Sequence, residues 1–200
     1  MNKLLKSAFL VGSLFISASL MSKDRDFSLS IKTTESKTIS FDVLNGKNIS
    51  LVIYNDAYGE LFSEKLESEN NVTKSYDLKD LESGTYYLVA ESDQKIEKYK
   101  INISYNKTVE IEKTPFSEIN KPEYTISGNM AQLHLSGLKN SATISVSDFS
   151  GNVYYNANKN AANGELNMTF DLDPKTSDRY IISVEEKGNV FNKIVTLNYN

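Results

Sequence analysis

The 200-residue chain has no cysteine. Disulfides, thiolate catalysis and cysteine-based zinc sites are therefore excluded, as is a lipoprotein anchor, which needs a cysteine at its cleavage point. Proline is scarce at three residues, glycine stands at nine, and His134 is the only histidine. With 40% hydrophobic and 24% charged residues, this is the composition of an ordered globular protein rather than a disordered or collagen-like one. No Ser-His-Asp grouping, phosphate-binding glycine loop or metal-ligand spacing occurs. The expectation is a protein that is not an enzyme and carries no cofactor and no metal.

The one apolar run of note lies at the start. Lys3 and Lys6 precede an apolar core from Ala8 to Ile16, and Ser17-Ala18-Ser19 offers small residues for cleavage. Residues 1–19 read as a secretory signal peptide, since the run is well short of the roughly 20 apolar residues that span a bilayer. Removing Lys3 and Lys6 takes two positive charges from a formal net charge of −4, leaving −6. A mildly acidic surface argues against nucleic acid or an anionic membrane as the main partner. No later segment suits a membrane span, so the expectation is an exported protein, periplasmic or extracellular.

The chain repeats itself. Asp56-Ala57-Tyr58-Gly59 falls on Asp148-Phe149-Ser150-Gly151 and Lys47-Asn48 on Lys139-Asn140. After a two-residue insertion, Tyr76-Asp77-Leu78 meets Phe170-Asp171-Leu172 and Tyr86 meets Tyr180; Ile101, Ile103, Tyr105 and Asn106 meet Val195, Leu197, Tyr199 and Asn200. One module occurs twice. Residues 24–112 form the first copy and 124–200 the second; 113–123, which hold two of the three prolines, read as a short semi-stiff linker.

Within each copy the apolar residues alternate. Ile144 and Val146 face one way while Thr143, Ser145 and Ser147 face the other, and Tyr180, Ile182 and Val184 repeat the pattern. Period two over short runs means half-buried strands, and no convincing helical period appears. Each Asp-x-x-Gly tetrapeptide suits a type I turn followed by a left-handed glycine, at Gly59 and Gly151, joining two strands as a hairpin. Asp148 as a calcium ligand is the rival reading, but one acid supplies too few oxygens. About seven strands per copy predict an all-β protein of two tandem β-sandwiches.

At Asp77-Leu78 through Gly84-Thr85-Tyr86-Tyr87-Leu88-Val89, a Leu followed by Gly-x-Tyr opening a strand resembles the tyrosine corner of immunoglobulin-like and fibronectin-type sandwiches. Tyr180 repeats it with Asp178 in place of the glycine. The resemblance implies a buried ring at Tyr86 and Tyr180 with its hydroxyl on nearby backbone. The run Ile144 to Leu197 also resembles the C-terminal sorting domain of Bacteroidota type IX secretion cargo. It does so through Val146-Ser147-Asp148-Phe149-Ser150-Gly151-Asn152-Val153, Phe170-Asp171-Leu172, Tyr180-Ile181-Ile182-Ser183-Val184 and Lys193-Ile194-Val195. That resemblance implies an export address in the second module.

The remaining candidates are weak. His134 alternates outward between Leu133 and Leu135 and reads as a surface residue without an orienting partner. Asp171 and Asp173 sit on one strand before Pro174, whereas paired-carboxylate chemistry needs acids facing across a cleft. Tyrosines at 86–87 and 154–155 each place one ring outward, a weak pointer to sugar binding. The two copies differ where the second has Thr143, Ser145, Ile181 and Ser183 outward and the first has Leu51, Ile53, Tyr87 and Val89. Those four would make an outward apolar patch, either covered by the alternating strand Phe27-Ser28-Leu29-Ser30-Ile31 or used to bind an unknown protein or cell-envelope component.

Overall fold

The computed structural model describes residues 26–32, 37–46, 48–67 and 71–197. The signal-peptide reading at Met1 to Ser19, and Lys47, Tyr199 and Asn200 of the repeat, lie outside the described residues. Among the described residues there are strands and no helix, and the chain divides into two compact units at Lys121 and Pro122.

The first unit begins with β1 (Ser28–Ile31), β2 (Thr38–Leu44), β3 (Ile49–Asn55), β4 (Gly59–Leu66) and β5 (Asn71–Asp77). It continues with β6 (Gly84–Glu91), β7 (Lys95–Ile103), β8 (Val109–Ile111) and β9 (Ser117–Asn120). One sheet has the order β1-β2-β5; the other runs β4-β3-β6-β7-β8, with β9 also on β7. The second unit holds β10 (Glu123–Ser127), β11 (Met130–Ser136), β12 (Ser141–Asp148), β13 (Val153–Asn160), β14 (Glu165–Asp171), β15 (Arg179–Glu186) and β16 (Asn189–Thr196). Its sheets are β10-β11-β14 and β13-β12-β15-β16. Each unit is a fibronectin-type immunoglobulin-like sandwich, antiparallel throughout: three strands face four in the second unit, and in the first three face the same four-strand core extended by the short β8 and β9.

Alternation builds both cores. In β2, Ile39, Phe41 and Val43 are buried; in β3, Ile49, Leu51 and Ile53 meet them from the opposite sheet. The second core has Leu133 and Leu135 from one sheet against Ile144, Val146, Ile182 and Val184 from the other. Facing apolar sets on period-two strands are what drives two sheets together, at about 25 cal/mol per Å² of apolar surface removed from water.

Stretch 113–123 is more than a linker. Ile111 pairs with Ile101 and Ser117 with Lys98, so β8 and β9 run along β7 as one strand interrupted by a loop-out. Glu112 and Phe116 both donate backbone N–H groups to β7, at the carbonyls of Lys100 and Lys98, which leaves Lys113 to Pro115 outside the ladder. Pro115 therefore costs no ladder donor, which is why a proline-bearing segment can pair at all.

The two tyrosine corners close the sandwiches. Tyr86 is 3% exposed and its hydroxyl donates to the Glu82 carbonyl at 2.9 Å; Tyr180 is 2% exposed and donates to the Asp173 carbonyl at 2.8 Å. Gly84 itself answers no backbone need. Its φ is ordinary and an added Cβ would meet Tyr86 Cε2 at 3.7 Å, a normal contact, so Asp178 fits the same place.

Candidate functional site

The patch expected from Leu51, Ile53, Tyr87 and Val89 does not form. Leu51 is 0% and Ile53 2% exposed, both in the first core, while Tyr87 and Val89 are half-buried on the outer side of the sheet. The cause is a one-residue slip. In the folded modules the bulge follows Ile53 in one and Val146 in the other, so Leu51 and Ile53 correspond to Ile144 and Val146. Matching Asp56 to Asp148 shifts the register by one, and period two then turns every side chain to the wrong face.

The turns show which residues truly correspond. Asn55 Oδ1 accepts the N–H groups of Ala57 at 2.8 Å and Tyr58 at 3.3 Å. Asp148 Oδ1 accepts those of Ser150 at 2.8 Å and Asn152 at 3.0 Å. Asn55, not Asp56, is the counterpart of Asp148. Gly59 and Gly151 then take left-handed φ values of 76° and 83°, where a Cβ would be strained.

The outer face of the first module's larger sheet carries a different apolar set. Val52 lies opposite Val89, and Tyr54 opposite Tyr87. The Tyr54 and Tyr87 rings stack with centroids 5.0 Å apart at 26°, and Phe116 closes on Tyr87 at 5.6 Å. Phe116, 52% exposed, is placed there by the loop-out between β8 and β9. Lys98 and Lys100 pair with Val89 and Tyr87 on the next strand, and Glu60 with Tyr54 on the other side. Burial against these neighbours, and then the nearby Asp56 carboxylate, raise the phenol pKa of both Tyr54 and Tyr87. Both therefore keep their protons as donors.

Segment 27–31 does not cover this face. β1 pairs with β2 in the other sheet, and Phe27 and Leu29 point into the core. Lys95 lies 4.5 Å over the Phe27 ring and is held by Glu97 at 2.5 Å, while Tyr99 donates to the same carboxylate at 2.7 Å. The buried Glu97 carboxylate is thus satisfied from within the first unit.

The Tyr87 ring is already stacked on Tyr54 and in tilted contact with Phe116, rather than standing alone as a platform for a sugar ring. Tyr154 is tied by a 2.6 Å hydrogen bond to Asp148 and packs edge-on to Tyr180; Tyr155 turns inward against Phe170. His134 does have partners: Asn167 Oδ1 at 2.8 Å from Nδ1 and Glu165 Oε2 at 3.4 Å from Nε2, both on the neighbouring strand β14. Cross-strand partners are not visible in local sequence. No nucleophile joins them, and a half-exposed imidazole with two surface partners is a cross-strand tie.

Asp171 is exposed at the end of β14. Asp173 caps the following turn, accepting from Lys175 N–H and Thr176 Oγ1. Among the described residues no group of three or more His, Asp or Glu side chains is placed to hold a metal. A groove of about 390 Å³ at the end of β6 and β7 is lined by Thr85, Asn102, Ser104, Tyr105 and Glu110, with Glu110 its one charged side chain. It lacks an acid–base pair.

Asp148 has the clearest electrostatic signature. The Asn152 amide at 2.8 Å, the Tyr154 hydroxyl and two backbone N–H groups hold its carboxyl down to about 2. A depressed folded-state value stabilises the fold above the ordinary aspartate range, near 4, and that stabilisation disappears as pH falls through about 2. Asp148→Asn should therefore flatten the acid limb of the stability profile between these values. Unfolding midpoints measured from pH 5 to pH 2 check this; parallel limbs for both proteins would contradict it.

No family model matches the chain, and no curated protein matches it. Among solved structures it is similar to the BSP domain of a biofilm-associated protein (16% identity, TM-score 0.29, 86% of this chain and 29% of that one). It is also similar to bovine butyrophilin (8%, 0.31, 88% and 100%) and to the FN1–FN3 domains of chicken CNTN1 (9%, 0.29, 86% and 64%). The chain thus spans less than a third of the biofilm-associated structure. At TM-scores near 0.3 these likenesses carry no inference about function.

Proposed function

We propose that this chain is a non-enzymatic interaction module whose contact surface is Val52, Tyr54, Tyr87, Val89 and Phe116. The observation that carries the proposal is the strip of three contacting rings on the outer face of the sheet, Tyr54 stacked on Tyr87 and Phe116 tilted against it. Aromatic anchors on strands lose little side-chain entropy on binding, and such residues dominate interface energetics. The same places in the second module hold Ser145 opposite Ser183 and Ser147 opposite Ile181, one apolar side chain and no ring, so the aromatic strip belongs to one copy only. Lys98 and Lys100 beside it favour an apolar protein surface with carboxylates at its rim. The reading of the second module as an export address rests on the sequence resemblance alone, and export rests on the stretch Met1 to Ser19.

Tyr87→Ser combined with Phe116→Ser should weaken capture of the partner from native envelope material by about 30-fold or more, the scale of a lost interface hot spot. The unfolding midpoint should move little, since both rings lie outside the core. Ile181→Ser, at the place in the second module that corresponds to Tyr87, serves as the control. Capture unchanged by the double substitution would remove the strip from the interface.

A further inference from the structure

The two copies of one fold differ at one edge. In the first module β7 is flanked by β8 and β9, which pair with its outer backbone groups. Its counterpart β16 ends its sheet, and among the described residues it pairs with β15 alone. An open strand edge is a template for another strand unless it is blunted by shortness, charge, proline or a bulge. The other edges are blunted. β1, β8, β9 and β10 have 4, 3, 4 and 5 residues. β4 and β13 lie across register shifts, β5 carries two charges, Lys74 and Asp77, and β14 carries acids at both ends, Glu165 and Asp171. β16 has 8 residues, no proline, no register shift and one charge, Lys193. Val190 and Ile194 stand 57% and 56% exposed on it.

Backbone geometry selects what can pair there. Leu197 N–H donates to the Asp178 carbonyl, on the β15 side. Because backbone groups alternate sides along a strand, Val195, Lys193 and Phe191 also point theirs at β15, while Val190, Asn192, Ile194 and Thr196 aim theirs at the open edge. We propose that β16 is a self-association edge, pairing antiparallel with β16 of a second copy about a two-fold axis at Asn192. Val190 then lies opposite Ile194 of the second copy, Asn192 opposite its own counterpart, and Lys193 opposite Phe191, where an ammonium can sit over a ring. Centring the axis on Lys193 instead sets two ammonium groups directly opposite each other, which is repulsive. Centring it on Phe191 leaves Ile194 facing Gly188. Centring it on Ile194 pairs only Asn192 to Thr196 within the strand, so the Asn192 axis is the one that pairs β16 along most of its length without opposing like charges. An edge alone covers less than the roughly 1,200–2,000 Å² of a stable interface, so the dimer forms in proportion to concentration.

A cysteine-free chain makes the register readable. On mild oxidation at high protein concentration, Asn192→Cys should give a disulfide-linked dimer, since directly opposed residues in a hydrogen-bonded pair lie about 5.5 Å apart at Cα, within disulfide reach. Val190→Cys, opposed by Ile194, should give far less. Sedimentation of the unmodified full chain should show a reversible monomer–dimer equilibrium. Asn192→Pro removes the edge-facing N–H, together with an exposed side-chain hydrogen bond from Ser183 at 2.6 Å, and should return the protein to monomer; Asn192→Ala, which loses the same side-chain bond but keeps the N–H, is the stability control. A monomer up to millimolar concentration, or cross-linking at Val190→Cys equal to that at Asn192→Cys, overturns the proposal.

Discussion

Leu51→Ser should destabilise the first module by about 3–5 kcal/mol, while Val52→Ser, one residue along, should change stability by less than about 1 kcal/mol. Leu51 is fully buried at the centre of β3, flanked by Glu64 on β4 and Ala90 on β6. Serine there leaves a cavity and also buries a hydroxyl with no apolar substitute for the lost contacts. A domain's whole stability is about 5–15 kcal/mol, so the loss is a large fraction of it. Val52 faces outward, and its replacement removes a surface contact with Val89 and nothing from the core. Denaturant unfolding of the two variants checks this. Equal losses, or the reverse order, would mean that β3 has the opposite face inward.

Tyr180→Ala should cost about 3–5 kcal/mol, and Tyr180→Phe about 1 kcal/mol. The ring contributes most, because it is buried against the second core and meets Tyr154 edge-on at 5.4 Å. The hydroxyl contributes the remainder by satisfying the Asp173 carbonyl. Tyr86 should behave the same way, its hydroxyl serving Glu82. A phenylalanine variant as damaging as the alanine one would shift the weight from ring burial to the hydrogen bond. An alanine variant losing less than about 1 kcal/mol would remove Tyr180 from the core altogether.

What could be read from sequence followed from local physics. Alternation in Ile144 and Val146, or in Tyr180, Ile182 and Val184, depends on one strand, and so the strands and the all-β class were legible. The glycines at 59 and 151 announced their hairpins because left-handed φ has few other tenants. Register was not local. Asp56 and Asp148 coincide in a turn tetrapeptide, yet Asn55 does the work of Asp148, and one residue of error exchanged core for surface at Leu51 and Ile53. An Asn or Asp just before the tetrapeptide, placed to receive two turn N–H groups, was the available signal.

Two further features depended on residues far apart in the chain. Proline in 113–123 suggested a connection without pairing, whereas Pro115 occupies a loop-out that interrupts the strand without ending it. Phe116 reached the candidate surface only because of that loop-out, so no pattern within its own segment marked it. His134 acquired Asn167 and Glu165 across the β11–β14 ladder, a pairing set by tertiary register.

Both the exposed aromatic strip and the core beneath it follow from which side of β3 points inward. Since the chain has no thiol of its own, single cysteines placed at 51, 52, 143 and 144 can be labelled in the native state one at a time. Rapid reaction at 52 and 143 with protection at 51 and 144 is the expected result. Rapid reaction at 51 with protection at 52 would contradict it, and the strip of Tyr54, Tyr87 and Phe116 would lose its place on the surface.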